Sequence, residues 1–172
     1  MQALVAAWDL KDPTSYGSAM VAGSAHDGVQ KIVRGLTDLH ISELYYERLL
    51  DPYVTMDRKD EESCFSESTF TDLVANVTGV AETYHGRYGP LRGPSVADLL
   101  TEVDPMLAEQ IDQQIEATAV GITSIPQPFD RTVISAPKSD DHLKLDAAVQ
   151  TFWPMQDLYR KMATALGIVI NL

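Results

Sequence analysis

Hydrophobic and polar positions repeat at helical spacing along most of the chain, and clusters of Gly, Pro, Asp and Ser separate the repeats. The first main helix begins after an N-cap pattern at Ser24 and Asp27 and is expected to end at Asp51-Pro52. No run alternates for long enough to predict a strand. The pattern predicts an all-α fold, an up-and-down bundle of about four main helices. Their predicted bounds are roughly 25–50, 68–84, 104–124 and 141–166.

Shorter elements complete the prediction. Residues 2–8 have the pattern of a helix end, and the Asp-Pro, Gly and Ser content of 9–23 predicts a loop. A short helix is expected to begin at Ser95, which forms a capping pair with Asp98. Pro154 lies inside the last main helix and should kink or break it.

The composition indicates one globular domain over residues 1–172, because 45% of the residues are hydrophobic and 22% are charged. No apolar run reaches the roughly 18 residues that a membrane span needs. Residues 1–8 lack the basic start, apolar core and cleavage site of a signal peptide. Cys64 is the only cysteine, which excludes an internal disulfide and a four-cysteine zinc site.

The chain is strongly acidic, with 25 Asp and Glu against 13 Lys and Arg and a net charge of −12. This balance disfavours binding to nucleic acid or anionic lipid, because phosphate contacts need clustered basic side chains. It is compatible with attraction of cations, although a solvated acidic surface explains it equally well.

One helix face carries residues that could perform chemistry. At about 100° per residue, His40, Glu43 and Glu47 fall on the face that Val29 and Leu36 occupy earlier in the helix. Buried carboxylates are normally paired or metal-bound, and an imidazole with two carboxylates can bind zinc or iron. The same set could relay protons.

Two alternatives remain for this face. The helix can extend beyond the bundle and leave the face wet, or Glu43 or Glu47 can pair with Arg48 or another arginine. No phosphate-binding glycine loop, Gly-x-Ser-x-Gly elbow or His-Glu-x-x-His pair is found, which excludes the commonest nucleotide and hydrolase motifs.

Several motifs carry a family resemblance. They are the Glu-Leu-x-x-Glu-Arg pattern at 43–48, the Asp-Glu-Glu-Ser-Cys-Phe-Ser run at 60–66, Gly-Pro-Ser-Val-Ala-Asp-Leu-Leu at 93–100 and Val-Asp-Pro at 103–105. Their order resembles the C-terminal half of the imelysin family, bacterial envelope proteins linked to iron that include a nominal insulin-cleaving peptidase. The family's Gly-x-His-x-x-Glu signature is most nearly matched at 38–43, where Asp38 stands in place of glycine.

The resemblance implies a fold of two related bundles, of which this chain supplies the second. It implies a location in the periplasm or cell envelope and other iron-handling envelope proteins as partners. Iron or zinc is the cofactor expected if His40, Glu43 and Glu47 bind a metal, and otherwise no cofactor is expected. An N-terminal imelysin-like half or a second copy would then cover one face of this bundle. The residues expected on that face are Glu43, Arg48, Ser63, Cys64, Phe65, Ser66 and Asn76. Alternatively, Cys64 and Phe65 plug the end of the bundle.

We therefore expect a non-catalytic helical domain that binds a metal or a partner domain and serves iron uptake or iron regulation. One alternative is a metallopeptidase-like enzyme domain, although the chain has no second histidine at zinc-ligand spacing. The other is a purely structural half-bundle.

Overall fold

The computed structural model describes residues 2–170 and has an all-α fold with one small β-hairpin. The elements are, in chain order, α1 Gln2–Ala7, α2 Tyr16–Ala22, α3 Ala25–Thr37, a π-helical segment Asp38–Leu50, α4 Asp51–Thr55, a 3₁₀ turn Arg58–Asp60, α5 Thr69–Tyr84, β1 Arg87–Tyr88, β2 Leu91–Arg92, α6 Val96–Val103, α7 Pro105–Thr123, α8 Phe129–Val133, α9 Asp140–Gln150 and α10 Met155–Ala165. Strands β1 and β2 pair antiparallel.

The prediction of a bundle with about four main helical segments is confirmed. These are the continuous run 25–55, then α5, then α7, and finally α9 with α10. Helix α7 begins as expected, because the Asp104 carboxylate accepts a hydrogen bond from the Leu107 amide at 3.0 Å and Pro105 fills the first helical position. The predicted break at Pro154 separates α9 from α10.

Two boundary predictions were wrong. Residues 9–23 contain helix α2, whose first turn is capped by the Ser15 hydroxyl accepting from the Ser18 amide at 3.0 Å. The first main helix does not end at Asp51-Pro52 but continues to Thr55. A proline is tolerated there because Pro52 lies in the first turn of α4, just after the π-helical segment ends.

The π-helical segment is the least regular part of the bundle. It runs for 13 residues, whereas π-helices usually occur as single-turn bulges, often at functional sites. Its buried positions fall into three groups, each four or five residues after a member of the group before, namely His40 with Ile41, Leu44 with Tyr45, and Leu49. The i→i+5 hydrogen bonding gives roughly 4.4 residues per turn, so each residue advances about 82° rather than about 100°.

The interior contains two groups of buried apolar side chains. One joins α3, the π-helical segment, α5, α6, α7 and α10 and includes Leu36, Ile41, Tyr84, Leu100, Ile111 and Tyr159. The other joins the π-helical segment, α5, α7, α8 and α9 and includes Leu44, Leu73, Ile122, Leu145 and Phe152. His40 contacts the ring of Tyr159 from the first group and that of Phe152 from the second, so it lies where the two meet. Within residues 2–170, no helix is both long and apolar enough to cross a membrane.

Candidate functional site

His40 lies at the junction of the two apolar groups and is fully buried. Its Nδ1 atom is 2.6 Å from the Tyr159 hydroxyl, and its Nε2 atom is 3.3 Å from the Thr118 hydroxyl. Both ring nitrogens therefore have a partner within the bundle. The aromatic rings of Phe152 and Tyr159 lie edge-on to the imidazole.

The hydrogen bonds define the tautomer of His40. The Thr118 hydroxyl donates its hydrogen to the Ile115 carbonyl at 2.8 Å, so it can only accept from the imidazole. The proton of His40 is therefore on Nε2, and Nδ1 accepts the hydrogen of the Tyr159 hydroxyl. Every hydrogen in this chain of contacts has an acceptor as long as the imidazole is neutral.

Burial keeps this network uncharged. Loss of solvent lowers the pKa of His40 from 6.5 to about 3. Burial also raises the pKa of Tyr159 well above its usual value of 10.0. His40 and Tyr159 are therefore both neutral at physiological pH.

The three predicted metal ligands do not meet, and the prediction that they share an inward face was wrong. Glu43 is half-exposed and pairs with Arg48, and Glu47 is exposed to solvent. The cause is the π-helical winding, which at about 82° per residue turns both carboxylates more than about 100° away from His40.

No three His, Cys, Asp or Glu side chains are grouped so as to hold a metal ion within the part of the chain that the structure describes. Metal binding by His40, Glu43 and Glu47 stays a prediction. It would require the imidazole to leave its hydrogen bonds with Tyr159 and Thr118.

The residues predicted to face a partner come together more closely. The guanidinium of Arg48 lies 3.0 Å from a Glu43 carboxylate oxygen and 3.2 Å from one of Glu62. Arg48 thus ties the π-helical segment to the polar segment that precedes α5. This is the alternative in which Glu43 pairs with Arg48, and the structure confirms it.

Hydrogen bonds also order the polar segment itself. The Ser63 hydroxyl donates to the Asp72 carboxylate at 2.6 Å, and the Ser68 hydroxyl donates to the same oxygen at 3.0 Å. Ser66 shares a hydrogen bond of 2.9 Å with the Ser68 hydroxyl. Asn76 follows Asp72 by one turn of α5 and is half-buried on the same side of that helix.

Phe65 projects from this ordered segment and is fully exposed, whereas Cys64 is half-buried. Phe65 therefore does not plug the end of the bundle. We call the set Glu43, Arg48, Glu62, Ser63, Cys64, Phe65, Ser66 and Asp72 the Arg48–Phe65 surface. It combines ion pairs, hydroxyl groups and one unpartnered aromatic ring.

A cavity of about 350 Å³ opens beside this surface, between residues 57–69 and residues 127–130. Glu61 lines it and is only 6% exposed. Sequence reasoning did not select Glu61, because it stands between Asp60 and Glu62 and nothing in the local pattern distinguishes the three carboxylates. It lines one cavity together with residues 127–130, which are distant in the sequence, so the local pattern could not reveal its position.

The fold and this surface define an all-α helical bundle with an ordered, ion-paired polar surface at the N-terminal end of α5. The family model described as Imelysin matches residues 1–152, so the chain belongs to the imelysin family. The chain is also 29% identical over 144 residues to Iron-regulated protein A of Synechococcus elongatus. That alignment covers 78% of this chain and 40% of the relative, so the chain spans less than half of the relative's length.

Proposed function

We propose that this chain is a non-catalytic binding domain of an iron-linked imelysin-type protein of the bacterial cell envelope, and that the Arg48–Phe65 surface docks against a second imelysin-type bundle. The observation that supports this most strongly is the exposed Phe65 ring on a segment fixed by hydrogen bonds. An aromatic side chain held on an ordered segment loses little conformational entropy on binding, which is typical of interface anchors.

The surroundings of Phe65 also resemble an interface. The ion-paired Arg48 and the serine hydroxyls provide a polar rim around one apolar side chain. The Arg48 guanidinium is already oriented by Glu43 and Glu62, so docking would not have to order it.

The state of His40 supports binding rather than catalysis. Both ring nitrogens are engaged within the bundle and the imidazole is neutral, so neither is free to ligate a metal or to transfer a proton to a substrate. A catalytic zinc site built on His40 would need a free ring nitrogen at an accessible position.

The link to iron is proposed from the relative, which is named for its regulation by iron. We expect the native gene product to change in abundance between iron-replete and iron-limited cells and to fractionate with the envelope. Equal abundance in both conditions would contradict the link to iron, and recovery with the cytosol would contradict the envelope location.

Docking is tested by titration calorimetry. The probe is the stretch of Iron-regulated protein A that lies outside its match to this chain, and sedimentation of the chain alone tests a second copy as partner. Phe65→Ser should weaken binding at least about tenfold, since burying a phenylalanine contributes about 1.5–3 kcal/mol. Tyr88→Ser is the matched control, because Tyr88 is exposed at the opposite end of α5. Absence of both hetero- and self-association would overturn the proposal, and so would equal effects of the two variants.

A further inference from the structure

The cavity beside the Arg48–Phe65 surface holds a buried carboxylate that lacks a full set of partners. Glu61 is 6% exposed, and its Oε1 atom is buried without any hydrogen-bond partner. An unpartnered buried oxygen of this kind carries the cost of its lost hydration, which a ligand can remove. The strongest effect on its pKa is burial, which raises it, and a hydrogen bond from Thr69 offsets part of that increase.

The charges around the cavity are unbalanced. Four carboxylates line it against two cationic side chains, namely Asp57, Glu61, Glu67 and Asp130 against Arg58 and Lys59. Arg58 is already paired with Asp130 at 3.2 Å. The lining therefore retains an excess of negative charge, and the net charge of −12 on the whole chain adds to it.

The shape and chemistry favour an organic cation over a metal ion. Divalent metals need several oxygen or nitrogen ligands at short distance, and no three acidic, histidine or cysteine side chains of residues 2–170 are grouped in that way. Phe129 and Phe65 add aromatic surface to the lining. An aromatic ring can pack against an alkyl chain or hold a cation over its face. A volume of about 350 Å³ accommodates an alkylammonium or alkylguanidinium group.

We propose that this cavity is a binding site for an alkylammonium or alkylguanidinium group, which donates hydrogen bonds to the Glu61 carboxylate. The group could belong to a small free cation or to a lysine or arginine side chain of a protein, because both present the same chemistry. The site rests on Glu61 rather than on the ion pairs of Arg48, but it shares Cys64 and Phe65 with the docking surface. The chain is therefore titrated without a docking partner, so that failure of the cation site and failure of docking are distinguishable.

The test is a titration of the whole chain followed by amide NMR shifts. The free probes are n-butylammonium and n-butylguanidinium, with n-butanol as the uncharged control. The peptide probes are acetyl-Ala-Lys-Ala-amide and acetyl-Ala-Arg-Ala-amide, with norleucine in the central position as control. We expect saturable shifts centred on residues 57–69 and 127–130 with a cationic probe and none with its control. Binding of the free probes assigns the site to small cations, and binding of the peptides alone assigns it to a protein side chain.

Two variants complete the test. Glu61→Gln keeps the size of the side chain but replaces a charged acceptor with a neutral one. It should therefore lower the affinity for the cationic probe about tenfold or more. Asp60→Asn is the matched control, since Asp60 is the exposed neighbour outside the cavity. No saturable shift with any cation would overturn the proposal, as would shifts centred elsewhere in the chain. The wild-type titration keeps the test valid even if Glu61→Gln does not fold.

Discussion

Acid should destabilise this protein through His40 by an amount that the structure lets us work out. The folded state holds the imidazole neutral down to a pKa of about 3, whereas in the unfolded chain it protonates near 6.5. Between these values the unfolded state binds the extra proton, so the stability contributed by neutral His40 is complete above pH 6.5 and is lost as pH falls toward 3. At roughly 1.4 kcal/mol per pH unit, the loss between about pH 6.5 and pH 4 is about 3 kcal/mol. That is a large share of the roughly 5–15 kcal/mol that stabilises a typical domain.

The assay is urea unfolding followed by circular dichroism between about pH 4 and pH 7, on the parent and on His40→Gln. Glutamine can exchange hydrogen bonds with Tyr159 and Thr118 but does not titrate in this range. Carboxylates elsewhere contribute equally to both proteins, so the difference between their unfolding free energies isolates His40. We expect the parent to lose about 3 kcal/mol more than the variant across this range. If the unfolding free energies of the parent and the variant fall in parallel with pH, the claim that His40 is buried and neutral is refuted.

Three further predictions concern the same groups. Tyr159→Phe removes the donor to His40 Nδ1 and should lower the unfolding free energy by about 1–3 kcal/mol in urea titrations, whereas exposed Tyr88→Phe should not. Glu61→Gln should raise the melting temperature at pH 7, because it removes a charge that burial disfavours. Burial raises the pKa of Glu61 in the folded state above its unfolded value of 4.5. The stability that protonated Glu61 contributes is therefore fully present below pH 4.5 and is lost as pH rises through the folded-state pKa. If His40 and Glu43 do bind metal, saturating Fe²⁺ or Zn²⁺ will raise the melting temperature of the parent but not of His40→Gln, and unchanged parent curves would contradict that site.

The regular parts of the fold could be predicted because each has a local cause. Helix α7 begins where an aspartate cap precedes a proline, and α6 begins with the reciprocal bonds of Ser95 and Asp98, both of which sequence spacing predicts. The break at Pro154 likewise follows from a missing amide hydrogen. These signals act within a few residues and do not depend on tertiary contacts.

The candidate site could be predicted only in part, because its geometry depends on the π-helical winding and on distant neighbours. Rotation by about 100° per residue placed His40, Glu43 and Glu47 together, whereas the actual winding separates them. The four- and five-residue spacing of apolar positions after Leu36 was the available signal for that winding. The family motif around Cys64 did locate the polar segment, since a run of such unusual composition is recognisable without knowledge of its contacts.

The most direct test of docking at the Arg48–Phe65 surface uses the single cysteine within it. Cys64 is the only cysteine of the chain and is half-buried beside exposed Phe65, where it also lines the neighbouring cavity. Its alkylation rate therefore reports on this part of the molecule, and the measurement is made without any cationic ligand. The measurement is the rate of Cys64 alkylation by iodoacetamide with and without a saturating second imelysin-type bundle. We predict that the bound partner slows alkylation about tenfold or more in the parent and has little effect in Phe65→Ser, where docking is weakened. An unchanged rate at saturation would contradict docking at this surface.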